Sequence, residues 1–144
     1  METLKKYDLR KSETGFARVA IRSSKDAADF IRQFYSDDIG IFESFFLLLL
    51  DQSNTTTGYA KISQGGIAGT VVDPRIVAKY AIESLSPAVV LCHNHPSGNL
   101  KPSDADIAIT NKIKAGLKLF DITVLDHIIL TEDSYTSFAD EGKL

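Results

Sequence analysis

The apolar and polar positions of the chain form short blocks that predict strands separated by helices. Apolar runs or period-two alternation predict strands near 15–22, 43–50, 57–63, 88–92 and 122–130, and shorter ones near 67–71 and 135–138. Apolar residues at helical spacing predict helices over 24–36, from Asp73-Pro74 onward, and over 103–119. This order predicts an α/β (α+β mixed) fold with a single mixed β-sheet flanked by helices.

Some of these segments carry more specific signals. The segment from Glu43 to Leu50 is apolar on both faces, which predicts a central strand covered on each side. Each of the three helices has a capping signal at its start: Ser23 with Asp26, Asp73 before Pro74, and Ser103. The second helix is expected to bury one stripe of residues: Ile76, Val77, Tyr80 and Ala81.

Length and composition limit the class of protein. The chain has 144 residues, which we divide into a polar lead-in, 1–14, and one domain, 15–144. Its net charge of −3 counts against nucleic acid as a partner, because nucleic-acid footprints need clustered cations. A single cysteine, Cys92, excludes an internal disulfide. With no targeting or membrane-spanning segment in view, we expect a cytoplasmic protein without membrane contact.

The chemistry is concentrated in His93-x-His95-Pro96 and, six residues on, Ser103-x-x-Asp106. Strand residues two apart face the same way, so both imidazoles can point to one place, and the loop can bring Asp106 there. Two imidazoles and a carboxylate are the ligand set of a catalytic zinc. By spacing alone the alternatives stay open: surface histidines, and a Ser103–Asp106 pair that only caps a helix.

These motifs, with Glu43 upstream, resemble the JAMM (MPN+) metalloprotease motif, and the rest of the chain is similar to the RadC-type branch of JAB/MPN domains. The similarity spans roughly 15–142. Its marks are Glu43, Leu50-Asp51, Pro74-Arg75, His93-Asn94-His95-Pro96-Ser97-Gly98, Pro102-Ser103, Asp126-His127-Ile128-Ile129 and Tyr135-x-Ser137-Phe138.

The resemblance implies a cytidine-deaminase-like fold and a zinc-dependent hydrolase that cleaves a peptide, isopeptide or other amide bond. It implies that His93, His95 and Asp106 bind one Zn²⁺ per chain. Glu43 would be the general base, and Ser103 would stabilise the oxyanion. The substrate would be a protein or peptide of unknown identity.

Two other functions remain open from the sequence. One is a RadC-like accessory protein associated with DNA repair or nucleic acid. RadC-type proteins commonly carry a helix-hairpin-helix region before this domain, and residues 1–14 do not supply one, so we expect no DNA binding from that region. The other is a non-catalytic interaction module. The spread-out ββα-metal unit of HNH nucleases does not match the contiguous His93-Asn94-His95. The sequence leaves the oligomeric state open.

Two further positions have roles that the sequence leaves undecided. Asp126 could orient a ligand imidazole, but a packing or cross-strand role is as good an interpretation for it and for His127. Cys92 precedes His93 in a strand, so we expect it to face away from the ligands as an inert buried thiol.

Overall fold

The computed structural model describes residues 1–8, 10–66 and 71–144, which form one mixed sheet with helices on both faces. The helices are α1 (Ser24–Arg32), α2 (Pro74–Glu83) and α3 (Asp104–Lys118), with a short 3₁₀ helix at Asp37–Gly40. The strands are β1 (Ser44–Leu50), β2 (Thr56–Gln64), β3 (Ala88–Asn94), β4 (Thr123–Leu130) and β5 (Tyr135–Ser137). The predicted fold class is confirmed.

The strand order is β2-β1-β3-β4-β5, and only β3 and β4 run parallel. Parallel neighbours need a long crossover, and α3 provides it. β1 is antiparallel to β3, with Phe45 opposite His93. The start of β1 therefore lies beside the end of β3, which brings two distant parts of the chain to one edge of the sheet.

The core has two layers, one on each face of the sheet. All seven residues of β1 are buried, as predicted for a central strand. Leu48 and Leu50 pack with α1 on one face, while Leu47 and Leu49 pack with α2 and α3 on the other. Burial of each such side chain contributes about 1.5–3 kcal/mol, so the sheet is held firmly between its helices.

All three predicted helix caps are present. The Ser23 side chain accepts from the backbone N–H of Asp26, and Asp73 accepts from that of Arg75. Ser103 caps α3 in a reciprocal capping box. Each cap satisfies a backbone donor that the first helical turn would otherwise leave unpaired.

Three sequence expectations need correction. The strand expected over 15–22 is an extended segment with a single bridge, Ala20 to Thr55, because its partners lie where the chain turns between β1 and β2. The first helix ends at Arg32 rather than at 36. In α2 only Val77 and Ala81 are buried, because a helix lying on a sheet buries a narrow stripe; Ile76 and Tyr80 are 41% and 36% exposed.

The short strand expected near 67–71 falls largely on residues 67–70, which lie outside the described residues. Within the described ranges, none of the helices has both the length and the apolar character needed to cross a bilayer.

Candidate metal centre

Four predicted site residues meet at the edge where β1 begins and β3 ends. His93 is the penultimate residue of β3, and His95 follows that strand by one residue. Asp106 lies in the first turn of α3, and Glu43 immediately precedes β1. The antiparallel pairing of β1 with β3 is what brings Glu43 to the two histidines, fifty residues away in sequence.

The distances within this cluster are short. The Nε2 atoms of His93 and His95 are 2.9 Å apart. Oδ1 of Asp106 is 3.3 Å from Nε2 of His93, and its Oδ2 is 3.2 Å from Nε2 of His95. Glu43 Oε1 is 4.0 Å from both Nε2 atoms. The ligand atoms of Glu43, His93 and His95 all lie within 4.8 Å of one another, so this group could hold a metal ion.

A second set of donors in the same cluster, formed by His93, His95 and Asp106, also fits a small tetrahedral cation. Two ligands bound at 2.0–2.1 Å to a tetrahedral ion stand about 3.3 Å apart. Asp106 turns a different oxygen to each imidazole, Oδ1 at 3.3 Å from His93 and Oδ2 at 3.2 Å from His95; both distances are close to that separation, and the histidine pair is slightly closer. Nδ1 of His95 lies 2.6 Å from the carbonyl oxygen of Asn99, which can only accept, so Nδ1 carries the proton and Nε2 turns its lone pair to the cluster.

The electrostatics of the cluster favour positive charge between these atoms. Burial opposes ionisation of Asp106, yet its close contacts with the imidazoles of His93 and His95 outweigh it, so the pKa of Asp106 lies well below its ordinary value. Hydrogen bonding to Asp106 raises the pKa of His95. A carboxylate and ring nitrogens gathered this closely need a cation, either a proton or a metal ion.

Ser103 fixes the carboxylate of Asp106 through the capping box. The backbone N–H of Ser103 donates to Asp106 Oδ2 at 2.8 Å, and Ser103 Oγ accepts from the backbone N–H of Asp106 at 3.0 Å. The cap and the predicted ligand geometry are therefore compatible. The cap uses a lone pair of the hydroxyl oxygen and leaves its O–H able to donate.

Asn94, between the two histidines, connects β3 to the segment that carries Glu43. Its side chain is fully buried. Its Oδ1 accepts from the backbone N–H of Ser44 at 2.8 Å, and its Nδ2 donates to the carbonyls of Ile39 and Phe42, each at 2.7 Å. Sequence reasoning missed this role, although an amide flanked by two site residues was a signal that could have prompted it.

His127, rather than Asp126, contacts a predicted ligand. Its Nε2 is 2.7 Å from Nδ1 of His93, and its ring is fully buried, stacked on Phe138. Burial lowers the pKa of His127 well below its ordinary value. The orienting role considered for Asp126 is wrong, because its carboxylate faces the other way and accepts from three groups: the backbone N–H of His127 and of Ala139, and the hydroxyl of Ser137.

Cys92 is fully buried and packs with the layer on the α1 face of the sheet, opposite to His93, as expected. Burial raises the pKa of its thiol far above the ordinary value, so the thiolate does not form near neutral pH.

A surface groove leads to the cluster. Its walls come from the segment before β1, which contributes Gly40, Ile41 and Glu43, and from the loop between β3 and α3. The residues of this loop and of the first turn of α3 that line it are His95, Pro96, Ser97, Asn99, Lys101, Pro102, Ser103, Asp104, Ala105 and Asp106. The groove is therefore lined by three residues of the cluster: Glu43, His95 and Asp106.

A mixed sheet between helices, with a histidine–carboxylate cluster at the end of β3, defines an α/β domain of the JAB/MPN class with a candidate metal centre. The family model described as "RadC-like JAB domain" matches residues 21–143, and the chain belongs to that family.

Three similar proteins are each named as a UPF0758 protein. One, from Flavobacterium johnsoniae, is 47% identical over 122 residues, covering 85% of this chain and 52% of that protein. One from Shewanella pealeana is 34% identical over 143 residues, covering 99% of this chain and 63% of that protein. One from Vibrio cholerae is 46% identical over 102 residues, covering 71% and 64%. The chain spans roughly half to two thirds of the length of these curated relatives.

Proposed function

We propose that this domain is a zinc-dependent hydrolase of JAMM type that cleaves a peptide, isopeptide or other amide bond. The observation that carries the proposal is the convergence of His93, His95 and Asp106, with separations of 2.9–3.3 Å, and Glu43 at 4.0 Å from both imidazoles. This set combines three donors for a cation with one further carboxylate. A metal-assisted hydrolase needs both.

Each residue has a distinct part in the proposal. His93, His95 and Asp106 would hold Zn²⁺, which when bound supplies a Lewis acid and lowers the pKa of water. Glu43 would take a proton from the attacking water and pass it to the leaving amine. The greater distance of Glu43 from the imidazoles supports the role of base over that of fourth ligand. The Ser103 hydroxyl would donate to the negative oxygen that develops on the substrate carbonyl.

The surroundings of the cluster support an extended substrate. The groove runs between the segment before β1 and the loop before α3, and several residues on its walls are solvent-exposed, among them Ser97, Asn99 and Lys101. A protein or peptide chain can lie along such a surface. The accessory role in DNA repair and the non-catalytic module have no comparable observation in their favour.

The first experiment separates metal binding from chemistry. The zinc content of protein purified without added metal is measured for wild type, His95→Ala and Glu43→Gln, with Glu83→Gln, an exposed change on α2, as control. We expect about one zinc per chain in all but His95→Ala. Amide and isopeptide substrate libraries are then screened, and Glu43→Gln should lose at least about 100-fold in kcat with zinc retained.

Two results would contradict the proposal. Absence of zinc from wild type, with none taken up on addition, would remove the metal centre and favour a binding module. Hydrolysis by zinc-loaded Glu43→Gln at the wild-type rate would remove Glu43 as the base.

A further inference from the structure

Behind His93, a second histidine and a threonine form a chain of hydrogen bonds that leads away from the cluster. Thr110 Oγ1 lies 2.6 Å from Nδ1 of His127, and Nε2 of His127 lies 2.7 Å from Nδ1 of His93. Thr110 and His127 are fully buried, and His93 is 2% exposed. Water is excluded from these contacts, so each must be satisfied by a proton on one partner.

The direction of the protons follows from the far end of the chain. Thr110 has one hydroxyl proton, and its Oγ1 donates to the main-chain carbonyl of Asp106 at 2.7 Å, an atom that can only accept. Thr110 must therefore accept the N–H of His127 at Nδ1. Nε2 of a neutral His127 then has no proton and accepts from Nδ1 of His93. As a result Nε2 of His93 presents its lone pair to His95 and Asp106.

We infer that Thr110 and His127 are positioning residues that fix the tautomer of His93, so that its Nε2 faces the cluster as a ligand atom. The ring of His127 is held for this purpose between two aromatic side chains. Phe138 stacks on it at a centroid distance of 4.6 Å, and Phe45 meets it edge-on at 5.5 Å. An imidazole clamped in this way cannot turn to exchange its two nitrogens.

The same argument says what happens when the hydroxyl is removed. Without an acceptor at Thr110, His127 lowers its energy by moving its proton to Nε2. That proton then points at Nδ1 of His93, which must accept, so the proton of His93 moves to Nε2. A proton there occupies the lone pair that a metal ion would use. The inference rests on the metal-binding half of the proposed function, and it gives Thr110 of α3 and His127 of β4 a role behind the ligand set of His93, His95 and Asp106.

Two variants of Thr110 test the inference with matched shapes. Thr110→Val keeps the volume and β-branching but has no hydroxyl, whereas Thr110→Ser keeps the hydroxyl. Zinc affinity is measured by competition with a chromophoric chelator. We expect Thr110→Val to weaken zinc binding about ten- to one-hundred-fold, the range typical of partners behind a ligand, and Thr110→Ser to stay close to wild type. Equal affinity of Thr110→Val, Thr110→Ser and wild type would overturn the inference.

A spectroscopic measurement on the wild type needs no variant to fold. The chain contains three histidines, all in this assembly, so the imidazole ¹⁵N spectrum reports three rings. We expect the proton of His127 on Nδ1, both without metal and with zinc added. A proton on Nε2 of His127 would overturn the inference. If wild type binds no zinc, the proposed function fails, and this spectrum still decides the proton positions.

Discussion

The two sides of the cluster are attached to the protein in different ways. His93 lies within a buried strand, and Asp106 is held by a capping box at the start of α3. Glu43 follows a 3₁₀ helix, Asp37–Gly40, that contains no buried residue. The side chain of Asn94 connects this outer segment to β3. We call His93 and Asp106, with the strand and the capped helix that hold them, the histidine side. We call residues 37–43 the Glu43 side.

The difference suggests that binding and chemistry can be separated by mutation. A metal site needs ligands held at fixed separations, which buried strands and capped helices provide. A general base only has to reach the water that it activates. Changes on the histidine side should therefore alter zinc affinity, and changes on the Glu43 side should alter turnover with zinc in place.

The largest effect is expected for Asn94→Ala, which breaks the connection between the two sides. It leaves the N–H of Ser44 and the carbonyls of Ile39 and Phe42 without this buried partner. We expect the free energy of unfolding to fall by about 2–4 kcal/mol, measured by denaturant titration. Turnover should fall with Glu43 displaced, while zinc affinity should fall much less.

The control is Asn111→Ala, an exposed asparagine of α3. It should change the free energy of unfolding by no more than about 0.5 kcal/mol. If Asn94→Ala matched this control in stability and wild type in turnover, the distinction between the two sides would be lost.

Local patterns predicted much of this architecture because its elements are locally encoded. The central strand, the three caps and the convergence of His93 with His95 follow from alternation and spacing. The roles of Asn94 and His127 depend on which residues of distant strands lie side by side. His127 faces the cluster because β4 aligns it with Leu91, after a register shift between Val89 and Val90. Such a bulge reverses the face of every following side chain, and nothing local in the sequence marks it.

A smaller effect is expected for Ser103→Ala, which changes the capping residue that contacts Asp106 on the histidine side. The variant loses the Oγ acceptor of the cap but keeps the backbone N–H that donates to Asp106. The free energy of unfolding should fall by about 1 kcal/mol, as for loss of a typical N-cap, with zinc affinity nearly unchanged. Thermal unfolding and chelator competition measure the two effects.

Turnover of this same variant then distinguishes the two roles of the hydroxyl. If the Ser103 hydroxyl also donates to the substrate oxyanion, its removal should lower kcat about 100-fold, with KM nearly unchanged. If stability fell while kcat stayed unchanged, Ser103 would be a helix cap without a part in the chemistry.

The smallest effect is expected for Asp126→Asn, next to His127 but on the opposite face of β4. The asparagine can retain the contacts, because Oδ1 can accept from the N–H groups of His127 and Ala139 while Nδ2 donates to Ser137. Zinc affinity should equal that of wild type. A clear loss of zinc affinity would show that the two faces of β4 are coupled.

The stability of Asp126→Asn should depend on pH in a defined direction. Burial raises the pKa of Asp126 above 3.8, so the folded protein binds this proton more tightly than the unfolded chain does. The contribution of Asp126 to the free energy of unfolding is full below its ordinary pKa, and it declines as the pH rises through the raised pKa of the folded protein. Because asparagine does not titrate, the variant should gain stability relative to wild type over the same rise, measured by denaturant titration across the acid range. A difference that stays constant with pH would mean that the hydrogen bonds to Asp126 compensate fully for its burial.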